Sequence, residues 1–589
     1  MSVESIITEN LDIWTSAVKT KSAAGRGRTS KLDIYGIKKM RELILELAVR
    51  GKLVPQNPND EPASELLKKI EAEKSRLVKE GKIKKQKQLP PVTEDEKPFE
   101  LPDGSAFIRL GNIGNIFNGN SVNSRLKEQK YTGLDSGLPF IATKDVDYGY
   151  KSLDYNNGVL IPFDEPKFKI AHSNSVLICA EGGSAGKKCG IANQDICFGN
   201  KLFANELFGD VSSKFILYTY LSPTFFCQFS EAMTGIIGGI SSNRFSELII
   251  NLPPLSEQYR IVSKVDELMA LCDQLETETE ASIQAHQTLV ETLLATLTNA
   301  KCADELNDSW LRISAHFDVL FTNDDSIDQL KQTILQLAVM GKLVKQDPND
   351  EPASKLLECI AAEKQALIKA GKIKKQKPLP PITEEEKPYA LPSGWSWSRL
   401  QEITLLITDG KHGDCVNLEG SGYYFLSAKD IQNGKLVYEK ARQIEFSEFS
   451  EVHQRTNLEP GDICMVNTGA TIGKMALVEN NDFTRKTTFQ KSVAVIKVAK
   501  GYIYNRFAAL FIQSETHNFL NKSGGSAINN LLLGDLKKKV SPVPPLEEQK
   551  RIVAKVDKLM ALCDSLKAHL NQAQTTQLHL TDAIVEQVL

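Results

Sequence analysis

The chain has 589 residues, 41% hydrophobic and 25% charged, a composition that excludes wholesale disorder and a collagen-like chain. A formal net charge of -3 excludes a globally basic surface, so any nucleic-acid binding must come from local patches. The length calls for about three to five domains, and there is no apolar run of about 18 residues to cross a membrane.

The opening residues, MSVESIITENLDIW, lack the basic and apolar regions of a secretory signal, so a cytoplasmic location is expected. The ten cysteines form no Cys-x-x-Cys pair, which fits reduced thiols filling a core rather than a zinc site. ILELAVRGKLV, from Ile44, reads as a short apolar helix that Gly51 stops. PASELLKKIEAEKSRLVKEGK follows as a charged helix stopped at Gly81. KIKKQKQLPP is then a basic linker, with Lys79, Lys82, Lys84, Lys85 and Lys87 ahead of Pro90 and Pro91. It is either a solvated connection or a contact for phosphate or an acidic partner.

From 105 to about 250 the pattern is mixed. FIRLGNIGNIFNG, LPFIATKDV, NSVLICAEG and GIANQDICFG read as short strands, and KFILYTYLSPTFFCQFSEAM as a helix pair broken at Pro223. PPLSEQYRIVSKVDELMALCDQL begins at Pro253. Its Ile261, Val265, Leu268, Cys272 and Leu275 recur at alternating spacings of four and three, a heptad seam that Leu289 and Leu293 continue. Ser256 is a candidate N-cap.

The chain then repeats itself. Residues 334–394 copy 44–104 at an offset of 290, with roughly 70% of positions identical and no gap. The copy includes Gly341 and the lysines Lys369, Lys372, Lys374, Lys375 and Lys377. A second mixed stretch follows, opened by LPSGWSWSRL. Here LLITDGKHG, YYFLSAKDI, GDICMVNTG and KSVAVIKV read as strands, and YIYNRFAALFIQSETHNFLNK as helix. PPLEEQKRIVAKVDKLMALCDSL, from Pro544, copies the earlier long helix at an offset of 291, with Ile552, Val556, Leu559, Cys563 and Leu566 as its seam and Leu570, Leu580 and Ile584 beyond. Each long helix should run about 40 residues, or about 60 Å. The two seams are expected to pair antiparallel, or each to lie on its neighbouring domain. Repeated blocks flanking two loosely similar stretches predict a pseudo-two-fold ring that brings the chain ends together.

No catalytic motif is found. GGSAGKK (Gly182 to Lys188) and GATIGK (Gly469 to Lys474) suggest phosphate loops, but Lys188 and Met475 stand where a P-loop needs Ser or Thr. Such turns still suit a DNA phosphate. Asn251-Leu252-Pro253-Pro254 lacks the spacing and aromatic residue of an adenine-methyltransferase loop. His412, beside Asp409 and Asp414, is a lone candidate ligand or base, or simply a loop residue.

PPLSEQYRIV, PPLEEQKRIV, LPSGWSWSRL, ITDGKHG with YYFLSAKDI, and GDICMVNTGATIGK are similar to the specificity (S) subunit of type I restriction-modification enzymes. The resemblance covers the whole chain, and the duplicated block at 44–104 resembles the type IB subgroup. The first mixed stretch departs from the pattern: Ser105-Ala106-Phe107 stands in place of the tryptophan segment, and IFNGNSVNS in place of ITDGKHG.

The resemblance implies an α+β fold: two similar α/β target recognition domains separated by long conserved helices that form an antiparallel coiled coil in a pseudo-two-fold circular arrangement. The expected division is a helical region with its basic linker (1–104), the first recognition domain (105–252), a central conserved region (253–394), the second recognition domain (395–543) and a final long helix (544–589). Each recognition domain would read half of a bipartite, asymmetric duplex site, while the helices set the spacer. The implied partners are double-stranded DNA, two modification subunits and two restriction subunits. S-adenosylmethionine, ATP and magnesium belong to those partners, and this chain would be a non-catalytic subunit with no cofactor of its own.

Lysines suit phosphates, Arg suits guanine, and Asn or Gln suits adenine. The candidate DNA-binding residues are Lys144, Lys187, Lys188, Lys201, Asn243 and Arg244 in the first domain. In the second they are Lys411, His412, Lys429, Lys474, Arg485, Lys486, Gln490, Lys491 and Asn529, with Lys144 of IATKDV matching Lys429 of LSAKDI. The rival reading is a coiled-coil scaffold that binds protein and not DNA.

Overall fold

The structure is a computed structural model and describes residues 3–20, 32–149, 151–235, 238–516 and 530–589. The chain forms two compact units, Met1–Ile283 with Ala573–Leu589, and Gln284–Gln572. The end of the chain thus folds with the first unit, and both units are built from the same parts in the same circular order.

In the first unit, helix Tyr35–Val49 buries Ile37, Met40, Ile44, Leu47 and Ala48 on one face, the spacing of an amphipathic helix. It ends in a Schellman turn: Lys52 N–H donates to the Leu47 carbonyl at 2.9 Å and Gly51 N–H to that of Ala48 at 3.3 Å. Gly51 has φ 68°, which a Cβ would strain. Lys342, Gly341, Leu337 and Ala338 repeat this turn in the second unit, with the same two distances.

The first mixed α/β domain centres on a four-stranded antiparallel sheet, ordered Gly114–Asn118, Leu202–Leu207, Val176–Cys179, Cys189–Ile191. A smaller sheet orders Leu160–Ile161, Leu138–Ile141, Ile196–Phe198, Ile170–Ala171, with the central pair parallel. The second domain repeats both. Its main sheet is Thr404–Asp409, Val493–Val498, Ile463–Val466, Met475–Leu477, and its smaller one Arg442–Gln443, Tyr424–Leu426, Thr487–Phe489. Leu202–Leu207 was not legible as a strand, because Asn205 and Glu206 interrupt its apolar run. It is nonetheless one of the two inner strands of the sheet, pairing on both sides. The expected break at Pro223 is present: Ser222 caps helix Pro223–Ala232 through Phe225 N–H. Of the helix expected from Tyr502, Asn505–Ser514 is formed, and 517–522 lies outside the described residues.

The long helices are Leu255–Asn299 and Leu546–Val588, of 45 and 43 residues. The first begins before Ser256, so Pro254 holds the cap position, and Ser256 instead helps depress the Asp60 carboxyl, after the main effect of Arg260. Within the first unit, Tyr35 donates to Asp582 (2.6 Å) and Arg50 to the Leu589 carbonyl (2.9 Å), so the final helix runs alongside Tyr35–Val49 in the same direction. Arg41–Asp273 and Gln56–Glu257 run the other way. The two long-helix segments there are therefore antiparallel. Gln329–Glu291 and Lys342–Ala300, against Lys331–Asp564 and Gln346–Glu548, show the same in the second unit. The seams do not close on each other alone. Ile261, Val265, Leu268 and Cys272 pack with Tyr35–Val49 as well as with Ile584, Val585 and Val588, because a third apolar helix lies between the long ones.

The Pro-Pro-Leu-x-Glu-Gln entry ties each long helix to the mixed α/β domain before it. Gln258 accepts Ser212 N–H at 3.0 Å and donates to the Pro253 carbonyl at 2.9 Å; Gln549 does the same with Tyr504 and Pro544. Glu548, 1% exposed, accepts from Gln346 and from Trp395 Nε1 at 3.0 Å each. Glu257, equally buried, has the Gln56 amide but no indole, since Ser105 stands where Trp395 does. Burial pushes both carboxyls above their usual range.

A buried guanidinium closes each unit. Arg109 donates to Glu96, to the Pro90 and Pro91 carbonyls and to that of Glu247. Arg399 likewise holds Glu386, Pro380, Pro381 and the Lys538 carbonyl. These bonds anchor the ends of both basic linkers. The guanidinium holds Glu96 and Glu386 down to about 2, from 4.5. A carboxyl lowered on folding stabilises above its unfolded pKa, and that stability is lost as pH falls through the folded one. Stability is therefore expected to drop between about pH 4.5 and pH 2. A Glu96→Gln/Glu386→Gln double variant should flatten that part of a urea-denaturation pH profile, and an unaltered profile would contradict the linkage.

Candidate nucleic-acid interface

Five loops meet at one rim of each mixed α/β domain, joined by backbone hydrogen bonds. In the first, Asn120 N–H reaches the Phe198 carbonyl, Gly199 N–H that of Ile141, Ala180 N–H that of Lys201, and Ile240 N–H that of Ala180. In the second, Lys411 N–H reaches Phe489, Gln490 N–H Leu426, Asn467 N–H Ser492, and Leu531 N–H Asn467. These bonds set the residue equivalences: Asn120 with Lys411, Glu181 with Thr468, Asn200 with Lys491, and Lys201 with Ser492. Gly119 and Gly410 are equivalent too. A Cβ on either would fall 2.0 or 1.8 Å from the Phe198 or Phe489 carbonyl oxygen, so only glycine admits this approach. IFNGN and ITDGK are thus one motif.

Lys144 and Lys429 lie in matching 3-10 turns, Thr143–Asp145 and Ala428–Asp430. Buried Asp145 and Asp430 accept the N–H of Ala142 and Ser427 at 2.8 Å each. That leaves both lysines exposed at the rim. Lys187 is exposed on the glycine turn, near the Phe226 ring at 5.9 Å. Lys188 is half-buried, donating to the Thr143 carbonyl at 3.3 Å and facing Tyr148. Lys201 and Lys474 are exposed on rim loops. Asn243 and Arg244 are exposed on helix Ser242–Glu247, with Arg244 Nη1 on the Ala232 carbonyl at 3.2 Å.

In the second domain Gln490 and Lys491 are on the rim. Arg485 and Lys486 are not: their turn precedes strand Thr487–Phe489, at its opposite end. Lys411 points into helix Phe446–Thr456, bonded to Glu448 and to Glu451. The Glu448 contact first, then Glu451, raises its pKa well above the usual lysine range. His412 Nε2 lies 2.9 Å from Asp409 Oδ2, with the imidazole mostly exposed. Asn529 lies outside the described residues. Among the described residues, no group of three His, Cys, Asp or Glu side chains is placed to hold a metal ion, and no helix is long and apolar enough to cross a membrane.

The structure adds residues that sequence reasoning missed. A cleft of about 800 Å³ opens on the first rim, lined by Asn118, Glu181, Asn200, Thr234, Ser241 and Ser242 among others. On the second rim Thr468 Oγ1 donates to Asn530 Oδ1 at 3.0 Å. The available signal was the alignment of Ala180-Glu181-Gly182 with Asn467-Thr468-Gly469. Chemically, each rim offers cations for phosphate and short polar side chains for base edges.

A family model described as "Type I restriction modification DNA specificity domain" matches residues 102–285 and 392–574. The chain is 42% identical to the type I restriction enzyme EcoAI specificity subunit of Escherichia coli over 600 residues, covering 100% of this chain and 99% of that protein. It is 40% identical to the EcoEI specificity subunit of Escherichia coli over 621 residues, covering 100% of both. Among solved structures, the HsdS subunit from Thermoanaerobacter tengcongensis aligns with a TM-score of 0.38 at 17% identity, over 84% of this chain and 98% of that one.

Proposed function

The chain belongs to the type I restriction-modification DNA specificity family, and on that premise we propose that its two rims read the two halves of a bipartite, asymmetric DNA site. The observation that carries this reading is the pair of rims joined by the same backbone bonds but bearing different side chains: Glu181 against Thr468, Asn200 against Lys491, Lys201 against Ser492. Equal frames with unequal side chains suit unlike half-sites, where identical ones would suit a palindrome. The chain's own role is recognition, and catalysis rests with its partners.

On this proposal the chain divides at 104, 252, 394 and 543 into conserved and recognition segments and belongs to the type IB subgroup. Two modification subunits dock on the duplicated helices and basic linkers, carrying S-adenosylmethionine. Two restriction subunits bring ATP and magnesium. The assembly works in the cytoplasm, on duplex DNA.

The deciding experiment selects bound duplexes from a random pool, using this chain co-expressed with its modification partner. Two short unlike motifs at fixed spacing are expected. A stable complex that enriches nothing at any salt concentration would favour the protein-binding scaffold.

Two further outcomes are expected. Lys144→Ala and Lys429→Ala should each weaken binding to all sequences alike and reduce the salt slope by about 1, as for phosphate contacts. Arg244→Ala should cost about 1–3 kcal/mol of binding if its guanidinium reads a base. Equilibrium titrations at several salt concentrations check both. The long helices act as the ruler between the heads. Inserting one turn, about 5.4 Å, should lengthen the selected spacer by about one or two base pairs, and an unchanged spacer would remove the ruler.

A further inference from the structure

Glu181 is an anomaly on the first rim. Its loop neighbours include Lys187, Lys188 and Lys201, yet among the described residues its exposed carboxylate has no hydrogen-bond or ion-pair partner. A carboxylate facing DNA meets one phosphate charge per about 1.7 Å of duplex and is repelled. It is favourable there only if it receives a hydrogen bond, because an ionised carboxylate accepts and never donates. The donors that a duplex shows in its major groove are the cytosine N4 and adenine N6 amines.

The local structure fixes where this acceptor sits. Glu181 forms a backbone bridge with Gly239, and a Cβ on Gly239 would lie 3.4 Å from Glu181 Cγ, so the stem rests on bare backbone. Glu181 lines the rim cleft with Asn118, Asn200 and Ser241. At the same place on the second rim Thr468 Oγ1 donates to Asn530 Oδ1, so a neutral hydroxyl and an amide with donor hydrogens stand where the first rim has a carboxylate that has none.

We propose that Glu181 is a specificity-determining residue that accepts a hydrogen bond from an exocyclic base amine in the half-site of the first recognition domain. The second domain donates at the corresponding position, so the two half-sites differ there by hydrogen-bond polarity. This proposal rests on the DNA-reading function above.

The test repeats the duplex selection with wild-type, Glu181→Gln and Glu181→Ala chains, each in complex with the modification partner. Glu181→Ala should relax discrimination at one position of one half-site by about 5- to 150-fold, with the other half-site unchanged, while Glu181→Gln, which keeps an acceptor oxygen and gains donors, should shift preference at that same position toward adenine. The wild-type preference at that position identifies the amine as cytosine or adenine. Replacing the base there by an analogue lacking the amine should weaken the wild type by a similar factor and the Glu181→Ala variant no further. Unchanged motifs in both halves overturn the assignment. So does a uniform loss across both halves, which marks a structural role. If the wild-type complex itself enriches no motif, the DNA-reading function fails and the assignment with it.

Discussion

Arg109→Ala and Arg399→Ala are each expected to cost about 1–3 kcal/mol of stability in their own unit. Both side chains are nearly buried, 8% and 5% exposed, and each satisfies a carboxylate and three backbone carbonyls. Removing the guanidinium leaves those carbonyls without their charged donor, a bond worth about 1.5–3 kcal/mol where water does not replace it. Lysine should rescue little, because one ammonium cannot span the fork that serves Glu96 and Glu247, or Glu386 and Lys538, together. Urea denaturation followed by tryptophan fluorescence can separate the two, since Trp14 is buried in the first unit and Trp395 in the second. An Arg→Lys variant as stable as wild type would show that the charge alone matters.

Lys497→Ala should destabilise the second recognition domain by about 3–5 kcal/mol. Lys497 Nζ lies 2.5 Å from Asp462 Oδ2, with side chains 11% and 1% exposed. Burial raises the Asp462 pKa, and Lys497 opposes it, so deleting the lysine strands a buried carboxylate. A joint Lys497→Met/Asp462→Leu change removes both charges and should recover wild-type stability or exceed it. The first domain carries Glu206 and Ser175 at these positions, and so has no such pair to lose. If the double variant is as unstable as the single one, packing around the lysine stem is the cause rather than the unpaired charge.

Much of the fold was legible in the sequence because its signals are local. The glycine stops at Gly51 and Gly341, the break at Pro223 and the heptad seams each depend on residues a few positions apart, and the duplication at offsets of 290 and 291 shows on direct comparison of the two copies. The match of Lys144 with Lys429 was visible for the same reason: in both copies the Lys-Asp pair follows a short apolar strand. The interface was only partly legible. Nothing near Lys411 in the sequence announces Glu448, 37 residues on, which turns an expected phosphate contact into an internal ion pair. Arg485 and Lys486 are near Gln490 and Lys491 in the sequence, but an intervening strand carries them to the other end of the sheet. Helix Phe446–Thr456 has no counterpart in the first copy by which to find it.

The sequence by itself determined that the protein is two copies of one plan, with helices that stop and start where glycine and proline require and heads that have diverged. Tertiary structure alone decided which loops share a rim, that a third helix takes part of each heptad seam, and that the Glu181 carboxylate has no partner among the described residues. The physical reason is range. Helix periodicity and turn chemistry are written within a few residues, whereas a rim is assembled by hydrogen bonds such as Asn120 to Phe198 and Lys411 to Phe489, which join segments 78 residues apart.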